Sequence, residues 1–145
     1  MMVWNNIKYF RPTENWGDSK RMNPMLLILL DKLRDIIGKP ISINCGYETE
    51  GHEPNSQHGY GNAVDFHVKG MKFKEANQQI LAALDIIIIA GRKASDLVGY
   101  GIYPHWNTAG FHLDVRGYKA RWGALNRDGK QTYVSFDEAL KAIKD

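Results

Sequence analysis

All five histidines of the chain lie between positions 52 and 112, and the stretch from Ser56 to His67 packs two of them together with glycines and an aspartate. Imidazole and carboxylate groups in such company can hold a transition-metal ion. A catalytic zinc site takes three protein ligands of the His, Asp or Glu type and keeps a fourth position open for water. His58 and Asp65 stand seven residues apart, and Gly59 and Gly61 between them allow a turn that brings both side chains to one point. His112 can complete the set, and Asp114, two residues on, shares its face if the segment is a strand. The spacing alone is not specific. A histidine near an aspartate is more often an ordinary hydrogen-bonded pair, and both readings stay open at this level.

Other reactive types have blander uses. Cys45 could act as a nucleophile beside a histidine, but a small strand residue packed in or beside the core is the commoner role. His67 alternates onto the face of Asp65 and could orient it from behind. His105 lies close enough in sequence to the site to touch substrate or donate a proton, whereas His52 reads as a solvated loop residue. Trp106, Tyr60 and Tyr103 can line a groove, although loop aromatics more often cap a core.

These residues need elements to hold them. Residues 24–37 read as a helix: Asn23 can cap it, Pro24 suits its first turn, Gly38 and Pro40 end it, and apolar residues at 26, 29, 30, 33, 36 and 37 form one buried stripe. "ISINCGY" reads as a strand and 48–60 as a loop. In "NAVDFHV" the alternation puts Ala63, Asp65 and His67 on one face and Val64, Phe66 and Val68 on the other. Residues 73–90 read as a second helix ending at Gly91. "VGYGIY" and "GFHLDVR" are two further strands, and 135–144 a closing helix with Ser135 and Glu138 spaced as a capping box. The expected fold is α+β: a small, mostly antiparallel sheet carrying the site, with helices packed on one side and at both ends, in a single domain over 1–145.

Composition narrows the function classes. The chain has 145 residues, 43% hydrophobic and 24% charged, and a net charge of +3 without any Lys/Arg run. Nucleic-acid binding is not expected, whereas a weakly basic surface suits an anionic polymer such as a bacterial cell wall. A lone cysteine excludes an internal disulfide. The apolar stretches at 25–30 and 80–90 fall short of the ~20 residues that a membrane span needs, so no membrane insertion is expected. "MMVWNNIKYF" has no basic-then-apolar leader pattern. The expectation is a cytoplasmic protein until something else releases it.

"SQHGYGNAVD" resembles the SxHxxGxAxD motif of the zinc D-alanyl-D-alanine carboxypeptidase family, which belongs to a larger group with lysostaphin-type peptidases and the hedgehog signalling domain. Ser56, His58, Gly61, Ala63 and Asp65 match. The stretch from Gly99 to Trp122 is similar to the family's second block, with Gly99, Gly101, Tyr103, Pro104, His112, Asp114, Arg121 and Trp122 in place. The resemblance implies a peptidase acting on peptidoglycan stem peptides, with one zinc ion (Zn2+) per chain on His58, Asp65 and His112. Zinc lowers the pKa of a bound water from ~15.7 to about 7, and a general base must then take its proton. Asp114 is the candidate base; Ser56, His105, Arg116 and Arg121 are the candidate substrate contacts. The setting it suggests is a monomeric, endolysin-like phage lysis enzyme released by a holin.

Two departures stand out. Other branches carry the base at positions that are Ala109 and Gly110 here, and relatives often carry an arginine where Glu48 follows Gly46-Tyr47. An acidic residue cannot bind a substrate carboxylate, so another cation must do so or the enzyme prefers an internal bond. The alternative reading is a zinc-stabilised module that binds wall or peptide without cutting it.

Overall fold

In the computed structural model, which describes residues 2–50 and 55–144, the first helix, α1 (Pro24–Ile37), follows its end signals. The Asn23 side chain accepts a hydrogen bond from the Met25 N–H at 2.9 Å, and Gly38 turns out of the helix at φ +73°. Of its expected stripe Leu26, Leu29, Leu30, Leu33 and Ile37 are buried, joined by Leu27, whereas Ile36 is 43% exposed. Then come β1 (Ile41–Cys45), β2 (Ala63–Val68) and α2 (Phe73–Ile86).

Helix α2 ends five residues before Gly91, short of the reading from sequence. The run Ile86–Ile89 is β-branched and favours extended backbone. Ile88–Ile89 (β3) and Arg92–Lys93 (β4) form a small hairpin, with Ala90 and Gly91 at φ +51° and +79° as its turn. The remaining elements are β5 (Gly99–Tyr103), β6 (Gly110–Asp114), β7 (Ala120–Arg127), β8 (Lys130–Val134) and α3 (Phe136–Lys141), the last capped by Ser135. Strands β7 and β8 add to those read from sequence.

The main sheet has the order β1-β2-β6-β5-β7-β8 and is antiparallel except for the β5–β7 pair. One face carries Val64, Phe66, Tyr100, Ile102, Phe111 and Leu113 into the same apolar core as the buried residues of the three helices. Phe111 is its aromatic centre, stacked on Phe73 at 4.6 Å and beside Phe66 and Tyr100. Alternation sends Ala63, Asp65, Gly99, Gly101, His112 and Asp114 to the opposite face. Among the described residues no helix is long and apolar enough to cross a membrane.

Candidate metal centre

The sheet register builds the centre. Cys45, Asp65, His112, Gly101 and Trp122 are successive cross-strand partners, a single row across β1, β2, β6, β5 and β7. In this row Asp65 Oδ1 lies 3.1 Å from His112 Nδ1, and the same oxygen lies 3.3 Å from His58 Nε2. Each imidazole has an acceptor at its other nitrogen. His58 Nδ1 is 2.8 Å from the Gly46 carbonyl, and His112 Nε2 is 2.7 Å from Asp114 Oδ2. When the rings are neutral, an acceptor there holds the ring proton on that side, which leaves the lone pairs of His58 Nε2 and His112 Nδ1 toward Asp65. Two ligand atoms 2.0–2.1 Å from zinc at the tetrahedral angle stand about 3.3 Å apart. The two nitrogen–oxygen spacings are each of the size that ion needs, and two imidazoles and a carboxylate with outer partners on both rings are a suitable donor set.

His58 is 2% exposed, and the local backbone explains how it is held. It sits on a one-turn 3-10 helix, residues 57–60, whose first N–H groups are capped by Ser56 Oγ at 3.2 Å from the His58 N–H. Gly61 then reverses the chain at φ +73°, and a Cβ there would collide with the Arg21 carbonyl. Gly46, whose carbonyl holds the ring, approaches Trp16 so closely that a Cβ would lie 2.6 Å from the Trp16 carbonyl oxygen. Trp16 is fully buried between Trp4 and Phe10. The opening stretch "YFRPTENWGD" is thus the wall behind the His58 support.

Asp114, the candidate base, does not line the cleft. It is fully buried, and its carboxylate accepts from the Gly99 N–H, from the Arg116 N–H, from Arg116 Nε at 2.8 Å and from Arg116 Nη2 at 2.7 Å, besides the His112 ring. It stands behind His112, on the Nε2 side, while Asp65 faces the Nδ1 side. That position, behind the ring and off the cleft lining, suits an orienting partner of His112. Gly99 makes this possible: a Cβ at 99 would lie 2.7 Å from both Asp114 oxygens. Burial pushes the Asp114 carboxyl up, but Arg116 and His112 outweigh it and hold it below the usual range. Burial likewise opposes the charge on Asp65, and the two histidines overcome it, again lowering the carboxyl pKa. For His112 burial pulls the pKa down, and the hydrogen bonds that the charged ring donates to Asp114 and Asp65 outweigh it, leaving it raised.

A cleft of about 920 Å³ opens over this face. Ser56 and Arg116 line it; Arg121 and His105 do not. Alternation along β7 turns Arg121 away from Trp122, and its guanidinium is spent on the carbonyls of Val98, Ala120 and Ser95. His105 Nδ1 and Nε2 meet the Ala124 carbonyl and Gln131. His67 pairs with Asn44 at 2.8 Å rather than orienting Asp65, and His52 lies outside the described residues. Among the described residues, Cys45 Sγ, His58 and Asp65 form the group whose ligand atoms all lie within 4.8 Å of one another; His112 meets Asp65 but is not in that group. Yet Cys45 Sγ lies 3.8 Å from His58 Nδ1, the nitrogen already turned to Gly46, and 3.3 Å from Glu48. Burial, then the Glu48 bond and nearby negative charge, push its thiol pKa well up. His112, which meets Asp65 through Nδ1, is the alternative third partner.

Trp122, matched in the second block but given no part in the site, also lines the cleft, as do Tyr118, Tyr133 and Gln131, which sequence reasoning missed. The signal was the pair of glycines on β5: a Cβ at Gly101 would lie 2.5 Å from Trp122 Nε1. Gly110 is similar. Where other branches place a base, the Trp106 ring fills the space, 2.9 Å from a Cβ at that position.

No curated protein and no solved structure matches the chain. The sequence profile of peptidase M15 matches residues 9–106, which takes in His58 and Asp65 and stops before His112; the β2–β6 register is what sets His112 beside Asp65. With well over half its length in that match, the chain belongs to the peptidase M15 family of zinc metallopeptidases.

Proposed function

We propose that the protein hydrolyses peptide bonds in the stem peptides of bacterial peptidoglycan, using one zinc ion held by His58, Asp65 and His112. The observation that carries this reading is the pair of imidazole nitrogens 3.1 and 3.3 Å from one Asp65 oxygen, each ring fixed from behind. When bound, zinc supplies an acidified water nucleophile and polarisation of the scissile carbonyl. The chain's own groups do the rest. Gly46 and Asp114 fix the two rings, Ser56 fixes the turn, and Arg116 neutralises the buried Asp114 carboxylate while facing the cleft. Arg116 is the cation available there to a substrate carboxylate. Glu48 stands where relatives often carry arginine, which favours an internal bond over removal of a terminal residue. Release by a holin and action as a monomer belong to the same proposal.

The test is release of new amino groups from purified peptidoglycan by zinc-loaded protein, with mass spectrometry of the fragments to identify the bond. Efficient removal of terminal D-Ala with no internal cleavage would overturn the internal-bond preference. A second reading, a zinc-stabilised module that binds wall peptide without cutting, is favoured by one observation: among the described residues lining the cleft, Asp65 is the sole carboxylate. Stoichiometric zinc and peptide binding with no amino-group release would select it.

A further inference from the structure

The cleft continues well beyond the metal centre, over a floor that the sequence has cleared for it. Gly101 and Gly110 leave the sheet bare, and the indoles of Trp122 and Trp106 lie in the vacated space, 2.5 and 2.9 Å from where each Cβ would be. Trp106 stacks on Tyr103 at 4.3 Å with planes 14° apart, and Tyr103 Oη accepts a hydrogen bond from Trp122 Nε1 at 2.8 Å. Tyr133, opposite Ala124 on the edge strand β8, extends the same face, and Tyr118 stands on the Arg116 side. Both are exposed, at 59% and 62%. From β6 to β8 the face crosses three strand spacings, about 14 Å.

The lining has a definite chemistry. Away from the ligands it offers aromatic faces and the amides of Gln131, Gln57 and Asn55, with Arg116 as the one full charge among the described residues. A peptide rich in carboxylates and amines would call for more charges. Flat aromatic rings beside neutral amide donors and acceptors match the C–H faces, hydroxyls and acetamido groups of an N-acetylated hexose. Large exposed aromatics gathered in one concavity mark a binding surface.

We propose that the aromatic floor from Trp122 to Tyr133 is a subsite for the N-acetylhexosamine glycan, so that the enzyme binds stem peptide still attached to its sugars. This rests on the peptidoglycan reading above. The test titrates zinc-loaded protein with an N-acetylglucosamine tetramer by calorimetry, and compares kcat/KM for a stem peptide with and without its disaccharide. The expected result is tetramer binding that weakens at least tenfold in Tyr118→Ala or Tyr133→Ala. It should be unchanged in Tyr60→Ala, an equally exposed tyrosine outside the cleft. The sugar-bearing peptide should be preferred about tenfold, with the preference falling toward one in Tyr133→Ala. Failure of the tetramer to bind, or equal binding in all variants, overturns the subsite. If the tetramer binds as expected and neither peptide is cut, the subsite stands and the peptidase reading falls. If both peptides are cut at equal rates without tetramer binding, the reverse holds.

Discussion

Asp114 illustrates how much one carboxylate's surroundings decide. With both oxygens bonded and His112 between it and Asp65, its part is to hold a ring. Asp114→Asn should therefore lower zinc affinity by ~10–100-fold, the usual size of an outer-partner loss, while the loaded fraction turns over within a few-fold of wild type. Chelator competition and kcat per bound zinc check this; a ~10²–10⁴-fold fall in kcat with zinc retained would instead mark a base. The pH behaviour of the metal-free protein follows from the same groups. His112 has a raised pKa, so its contribution is full below its ordinary value of 6.5 and is lost as pH rises through the raised one. Asp65 and Asp114 are lowered, so theirs is present above about 3.8 and lost as pH falls through the lowered values. Metal-free protein should lose Tm from pH 6.5 to 9, whereas zinc, which needs His112 neutral, should stabilise more strongly over that range. Calorimetric melts with and without chelator read both trends. The residue types and spacing of His58, Asp65 and His112 were legible in the sequence. Period-two alternation also put Asp114 on the right face, but it could not say on which side of the His112 ring the carboxylate would stand.

The elements that hold these residues were legible wherever end signals were strong. Asn23, Pro24 and Gly38 framed α1, and Ser135 capped α3. Helix α2 was overrun because its apolar period continues into the isoleucines, and only their branching ends it. Strands β7 and β8 were overlooked although Asp128-Gly129, at φ +54° and +80°, is a hairpin turn signal. Glycine bears most directly on the site at two elements. Gly61→Ala combines a left-handed conformation with a clash against the Arg21 carbonyl, and should cost about 2–4 kcal/mol, measured by urea unfolding, with reduced zinc content. Gly101→Ala must displace Trp122 from its place beside His112, where the rings lie 5.0 Å apart. It should change tryptophan fluorescence and weaken substrate binding more than it weakens the fold.

For the whole molecule, the face that carries the ligands is opposite the one that carries the core. Stripping the metal should therefore leave the far-ultraviolet circular dichroism spectrum intact and lower Tm. Saturating zinc at a hundred times its dissociation constant adds about 2.7 kcal/mol. Loss of secondary structure on chelation would contradict this separation of faces.

The β2–β6 pairing has a kinetic consequence. Asp65 and His112 are 47 residues apart in the chain and meet only when that pairing forms. An unfolded chain offers zinc no assembled pocket, and a transition state that has not yet joined the two strands offers none either. Zinc should then leave the refolding arm of a chevron plot nearly unmoved and depress the unfolding arm, lengthening the lifetime of the folded protein rather than hastening its birth.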